Sequence, residues 1–335
     1  MSNFPRFFPS SRADLGTDRW PFSPPRSKGY NTDGFNVVIR VRLAPVAPLK
    51  RISPIMTIER IDSREVGLLI GLILGKRLLK SDDLHYGYWP PGLKVESANW
   101  AQAQSNHSDL IVANIPGGVK TILDVGCGAG AFAKKLTERG YQVECVTPSR
   151  LLAQEAQKLL GGQCPIHVTK FEHLETDSRY DLILFSESFQ YVGMGKSLPK
   201  AVRLLNPGGH LLICDFFKKD VEDDGALGGG HRLEKFYRRI DEQPFESVTD
   251  LDITNEVAPT MDLVNDFLLQ VGLPIRDLVF AFIAGRYPYL FRFLNWKYRE
   301  KLKQVDEKYF QGQRNAEAFI RHKSYRLMLY RLRPA

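Results

Sequence analysis

The stretch Leu123-Asp124-Val125-Gly126-Cys127-Gly128-Ala129-Gly130-Ala131 constrains the fold of this chain more than any other. It joins a short β-branched run, Thr121–Val125, to a segment of helical spacing over 131–139 that ends in a capping Gly140. Glycines at alternate positions let the backbone turn sharply from strand into helix and let a ligand approach it closely. The turn opens a regular alternation. Strand-like runs occupy 142–147, 166–169, 180–186 and 210–217, with helical segments at 151–160 and 198–205. Such alternation predicts an α/β fold, a parallel sheet with helices on both faces. Ligands of these sheets sit at the carboxyl ends of the strands, where the glycine turn lies.

The flanks are organised differently. Upstream, 58–80 has helical periodicity, the aromatic loop Leu84-His85-Tyr86-Gly87-Tyr88-Trp89 stops at Pro90-Pro91, and a second helix spans 97–115. Downstream the rhythm breaks over 218–259, which holds Gly228-Gly229-Gly230-His231 and a basic helix candidate at 232–239. A helix is expected at 261–271, a strand at 273–284, an aromatic helical segment at 287–320 and a final strand at 323–333. The chain thus divides into an extension (1–55), a helical cap (56–120), a ligand-binding core (121–217), a lid insertion (218–259) and the rest of the core (260–335), interrupted by an aromatic helical insertion at about 285–320.

Composition removes several alternatives. With 43% hydrophobic and 25% charged residues, the chain resembles a folded globular protein. Its four cysteines form no CxxC pair, which excludes a disulfide scaffold and a four-cysteine zinc site, and no His/Cys spacing suggests a metal. The apolar run VGLLIGLILG, 66–75, is about half the length of a membrane span. The net charge of +8 is concentrated at the ends: residues 285–335 hold thirteen Lys and Arg against four Asp and Glu, while the middle is acidic. A nucleic-acid binder is not expected to have an acidic body. No secretory signal is recognisable, so a cytoplasmic protein is expected. The acid-poor residues 1–55 read as disorder, an organelle import segment, or sequence upstream of a true start at Met56.

The glycine spacing is G-x-G-x-G, not the dinucleotide G-x-G-x-x-G, and Asp124 stands two residues before the first glycine. A carboxylate there repels a pyrophosphate and attracts an ammonium, so the turn suits a zwitterionic nucleoside. At this point the chain resembles the class I S-adenosylmethionine (SAM) dependent methyltransferases: 124–130 is similar to their first motif, Tyr180-Asp181-Leu182-Ile183-Leu184-Phe185-Ser186-Glu187 to their fourth strand, and Leu204-Leu205-Asn206-Pro207-Gly208-Gly209-His210-Leu211-Leu212-Ile213 to their LLxPGGxLLI segment. The resemblance implies a Rossmann-like seven-stranded sheet with an antiparallel last strand, a helical N-terminal cap and helical lid insertions. It implies SAM as cofactor, held by Asp124, Gly126, Cys127, Gly128 and Gly130, with Ser186 at the end of the fourth strand. Where the family usually has an acid for the ribose, this chain reads Thr147-Pro148-Ser149; Thr147, Ser149 or Glu144 is left to make that contact. Phe171 and Glu172 stand near the expected adenine position.

The ending at 147–149 is similar to the tocopherol/sterol methyltransferase and cyclopropane-fatty-acid-synthase branches. By that resemblance Tyr86 touches the SAM carboxylate, and Tyr88 and Trp89 wall the acceptor pocket. Glu187, Tyr191 and His231 are the candidate catalytic groups, with Gln190 beside the acceptor. Cyclopropane synthases carry Glu-His where this chain has Gln190-Tyr191, which favours methyl transfer over cyclopropanation. The expected acceptor is a small apolar or amphipathic molecule. The stretch FIAGRYPYLFRFLNWKY, 282–298, interleaves aromatics with cations; a lid over the acceptor with Trp296 lining it is expected, against an interfacial membrane helix or a subunit contact.

Overall fold

The computed structural model describes residues 63–221 and 227–334. The expected import segment at 1–55 and part of the expected lid, 222–226, lie outside the described residues. All described residues belong to one compact unit running from Ile58 onward.

Seven strands form one sheet in the order β3-β2-β1-β4-β5-β7-β6. These are β1 (Thr121–Val125), β2 (Gln142–Thr147), β3 (Ile166–Val168), β4 (Tyr180–Ser186), β5 (Leu205–Lys218), β6 (Phe245–Asp252) and β7 (Lys323–Leu332). Strands β1 to β5 pair in parallel, whereas β7 runs antiparallel to both β5 and β6. The order reverses between β1 and β4, which places the crevice for a ligand at their carboxyl ends.

Strand alternation sends side chains to two apolar layers. One face of the sheet presents Ile122, Leu182, Leu184, Leu212 and Leu327 to helices α2 (Trp100–Ala113), α3 (Ala131–Glu138) and α4 (Arg150–Leu160). The other presents Leu123, Val125, Ile183, Phe185 and Ile213 to α5 (Met194–Leu204) and α6 (Leu233–Asp241). Helix α3 forms where Phe132, Ala133 and Leu136 fall on one face and are buried. Ser149 starts α4 by accepting the Leu152 N–H at 3.1 Å, and Gly161 ends it in the left-handed conformation at φ 58°.

The N-terminal cap begins with α1 (Ser63–Leu74) and a π-helical turn, Gly75–Leu79, closed by Lys80 at φ 53°. Leu72 of α1 is buried on Ala129 of the glycine turn and on Leu152 of α4. The cap helix therefore lies over the mouth of the crevice.

Two elements depart from expectation. Residues 273–284 are not a strand; they belong to α9 (Leu273–Arg286), which follows α7 (Thr254–Val257), α8 (Pro259–Phe267) and a π-helical turn, Leu268–Gly272. The missing strand is β6, which its sequence, FESVTDLD, hardly announces: Phe245 alone of its residues is buried. An edge strand needs little apolar pattern when its partner supplies the contacts. Here Arg326 of β7 binds Asp250 at 2.6 Å and Asp252 at 3.0 Å. With β6 on that edge, the apolar residues of α9 have no sheet to join. They continue instead into a hairpin with α10 (Pro288–Tyr309), before α11 (Ala316–His322) leads into β7.

Candidate active site

The glycine turn is held by close approaches that only hydrogen permits. A Cβ on Gly126, which has φ +83°, would lie 2.3 Å from the Ser188 Cβ in the loop after β4. Gly128, at φ +56°, would place a Cβ in contact with the Leu84 side chain of the cap, at 3.4 Å. The Gly126 N–H is spent on the Val146 carbonyl at 2.7 Å, and the Ser188 hydroxyl donates to the Val125 carbonyl.

Asp124 and Ser186 lie on adjacent strands, with Asp124 beside Leu184 in the register, so alternation sends both side chains to one face. Asp124 is 2% exposed. Its Oδ2 and the Ser186 Oγ are buried without a hydrogen-bond partner. Burial, with a smaller contribution from Cys164, pushes the Asp124 carboxyl up to about 7. Two orphaned polar atoms at the switch point of the sheet are what a ligand with an ammonium group needs.

Glu187 follows β4 with φ 51°, in the left-handed region. Its N–H donates to the Cys214 carbonyl at 2.9 Å. Its Oε1 accepts the Tyr86 N–H at 2.7 Å and the Tyr325 hydroxyl at 2.7 Å. The Tyr325 oxygen is also 2.8 Å from His107 Nε2, and the His85 ring stacks on His107 at 4.5 Å. Burial holds His107 well below its ordinary value, so it is neutral and donates to Tyr325, which donates to Glu187. Burial raises the Glu187 carboxyl, against the opposing pull of His85, the Tyr325 hydroxyl and the Tyr86 N–H. Glu187 thus joins the aromatic loop, β4 and β7 from inside the molecule. Two donors on Oε1 fix the position of its carboxyl group.

Other expected site residues are placed as follows. Tyr86 packs among Phe216, Phe319 and Tyr325, with ring centroids 6.0–6.4 Å away, at the carboxyl ends of β5 and α11. Gln190 donates its backbone N–H to Asp215 Oδ2 at 3.0 Å, and burial pushes the Asp215 carboxyl up to about 8. Tyr191, on the next residue, is exposed. His231 Nε2 lies 2.9 Å from the Val192 carbonyl and 3.2 Å from that of Phe189, so this atom is a donor to backbone and not a base. Phe171 is buried and edge-on to Phe185 at 5.4 Å; it is core, not an adenine platform. Glu172 accepts the Gly193 N–H at 2.8 Å at the start of α5. Trp89 is buried, with its indole N–H on Thr260 Oγ1 at 2.9 Å and its backbone N–H on the Glu256 carbonyl at 2.8 Å. It clasps the cap to α8 and does not wall a pocket. Tyr88 is half-buried against the same core and donates its N–H to the Ala103 carbonyl at 2.8 Å.

At the end of β2, Thr147 is buried and Cys127 likewise; Pro148 leads into Ser149, whose hydroxyl donates to Glu65 of α1. Glu144 is engaged elsewhere, with His167 at 2.8 Å and the Tyr180 hydroxyl at 2.9 Å on its Oε2. The Ser149 hydroxyl is held instead by an acid of the cap, Glu65, which no spacing in the sequence connects to it. Gly130 closes the turn against Ala156 of α4. Trp296 is 76% exposed on α10, with its ring centroid 6.2 Å from that of Phe293. Among the described residues no group of three or more His, Cys, Asp or Glu side chains is placed to hold a metal ion.

Residues 123–213 match the family model of the methyltransferase domain. The chain is similar to the ubiquinone biosynthesis O-methyltransferase of Rhodopseudomonas palustris, at 30% identity over 47% of this chain and 63% of the relative. It is also similar to malonyl-[acyl-carrier protein] O-methyltransferase 1 of Ilyobacter polytropus, at 28% identity over 51% of this chain and 66% of the relative. The chain thus spans a little under two thirds of the length of these relatives. Among solved structures the fold is similar to the [4+2]-cyclase SpnF, with TM-score 0.58 and 17% identity over 81% of this chain and 97% of that one. It is similar too to a geranyl diphosphate C-methyltransferase from Streptomyces coelicolor A3(2) in complex with S-adenosyl-L-homocysteine, with TM-score 0.55 and 16% identity over 78% of this chain and 92% of that one.

Proposed function

We propose that the chain is a SAM-dependent methyltransferase acting on a small apolar or amphipathic acceptor such as a lipid or isoprenoid. The observation that carries this reading is the buried, unpartnered Asp124 Oδ2 near the end of β1, just before the glycine turn. The residues fit SAM: Asp124 and Ser186 offer an acceptor and a hydroxyl to its amino-acid portion, both buried without a partner. When bound, SAM supplies a methyl group on a sulfonium, an electrophile that asks little more of the protein than placement and exclusion of water.

This chain's residues supply those two things. The Glu187–Tyr325–His107 chain fixes the aromatic loop against β7, so that Tyr86, Phe216 and Phe319 hold an aromatic wall in place. Leu72 and Leu84 close the turn from the cap side. Aromatic side chains gathered beside the strand ends favour an apolar acceptor.

Calorimetry with SAM and S-adenosylhomocysteine tests the cofactor. Both are expected to bind, and Gly128→Val is expected to abolish binding. Equal affinity in the variant refutes the assignment. Incubation with methyl-labelled SAM and a lipid extract tests the acceptor: label is expected in an apolar product, and label confined to water-soluble acceptors refutes the apolar reading.

A further inference from the structure

We propose that the hairpin of α9 and α10 is an interfacial anchor that lays the protein on an anionic lipid surface. This goes beyond methyl transfer and does not depend on it. No residue of either helix is buried. On α9, Ile275, Leu278, Val279 and Phe282 are all exposed and recur at three- and four-residue spacing, which is one face of a helix. On α10, Tyr289, Phe293 and Trp296 do the same. The helices meet through other residues: the Phe280 and Phe291 rings are 6.0 Å apart, and Arg276 of α9 binds Asp306 of α10 at 2.6 Å. Arg276, in the first turn of α9, is held by Asp277 and Asp306, and the apolar rows beyond it face outward.

An 18-residue window of the continuous helix 254–286 has a mean hydropathy of 1.7, with none of it buried. Its length alone would suit a span. The return path does not: α10 carries Arg299, Glu300, Lys301, Lys303, Asp306, Glu307 and Lys308 in its second half, and the chain then re-enters the same sheet as β7. A hairpin with both ends in one body and a polar return limb lies in the interface and does not cross.

Charge names the partner. Between 286 and 303 six cations, Arg286, Arg292, Lys297, Arg299, Lys301 and Lys303, accompany one acid, Glu300. Lys297 lies 5.7 Å from the Phe293 ring centroid and 5.6 Å from that of Tyr298, an arrangement of cation over aromatic belt that suits lipid phosphates. A second copy docking on this face by two-fold symmetry brings the same cations against each other, which disfavours self-association.

The test is sedimentation of the full chain with vesicles of phosphatidylcholine, with and without phosphatidylglycerol. Binding is expected to require phosphatidylglycerol and to weaken with salt. The double variant Leu278→Glu, Phe282→Glu is expected to lose about tenfold or more in partitioning, with SAM affinity unchanged as evidence of an intact body. Trp296→Phe is expected to remove the vesicle-induced blue shift of tryptophan emission. Equal vesicle binding by the double variant overturns the proposal. So does a dimer in sedimentation velocity that the double variant dissociates while vesicles bind nothing. Resistance of the bound protein to alkaline extraction also overturns it, in favour of a span. Loss of SAM binding in wild-type protein would refute the methyltransferase reading while leaving this one standing.

Discussion

At the scale of single residues, Asp124 is the most telling. Its carboxyl titrates at about 7 because burial disfavours the charge. An ammonium-bearing ligand prefers the ionised form, so SAM affinity is expected to fall as pH drops below about 7, approaching tenfold per pH unit. Asp124→Asn is expected to bind more weakly at pH 8 with a flat profile, measured by calorimetry. The folding linkage has the opposite sign. The folded pKa is raised above the unfolded one, so the folded state holds a proton that the unfolded state has released. That contribution is present below the unfolded value and is lost as pH rises through about 7. The ligand-free Asn variant is therefore expected to gain melting temperature relative to wild type between about pH 5 and pH 8. Tyr325→Phe acts differently, since it removes a donor to the buried Glu187 and an acceptor for His107. It is expected to cost about 1–3 kcal/mol in urea unfolding and to lower turnover more than SAM affinity.

At the scale of elements, the glycine turn and the edge strand make contrasting cases. Gly126→Ala sets a methyl group 2.3 Å from the Ser188 Cβ and forces an L residue to φ +83°. Loss of about 2 kcal/mol or more is expected from strain and overpacking together, with SAM binding falling as the loop shifts. Strand β6 depends on charge: Arg326 is shared by Asp250 and Asp252, and Tyr237 donates to Asp250 at 2.7 Å. Arg326→Ala is expected to cost about 1–2 kcal/mol and to raise hydrogen exchange selectively at β6 amides. The core strands, whose order comes from buried alternation, should be little affected.

At the scale of the whole molecule, the ligand-free site stores three buried carboxyls near the strand ends, Asp124, Asp215 and Glu187, all with raised pKa. A ligand whose ammonium engages Asp124 offsets part of that cost. SAM at about one hundred times its dissociation constant contributes about 2.7 kcal/mol, which for a folded unit of this size is about 5 °C in melting temperature. The increment is expected to be larger at pH 8 than at pH 6, because only the ionised carboxylate is stabilised. Differential scanning fluorimetry at the two pH values measures it.

The sequence by itself determined the parallel half of the sheet and the cofactor turn, because both are written locally. Alternating apolar runs such as 180–186 state which faces are buried, and glycines at 126, 128 and 130 state where the backbone must turn tightly. The sequence could not separate α9 from a strand, since a short apolar run suits either; the edge beside β7 was already taken by β6. Nor could it tell a ligand-facing aromatic from a buried clasp. Trp89 and Phe171 carry the composition of a pocket wall, yet Thr260, 171 residues away from Trp89, and Phe185 decide where each one goes. The same holds for the Glu187–Tyr325 bond, which spans 138 residues, and for Glu65 on Ser149, which spans 84. Contacts of that separation exist only after the sheet has closed, because nothing local in the chain specifies the partner of a buried polar atom.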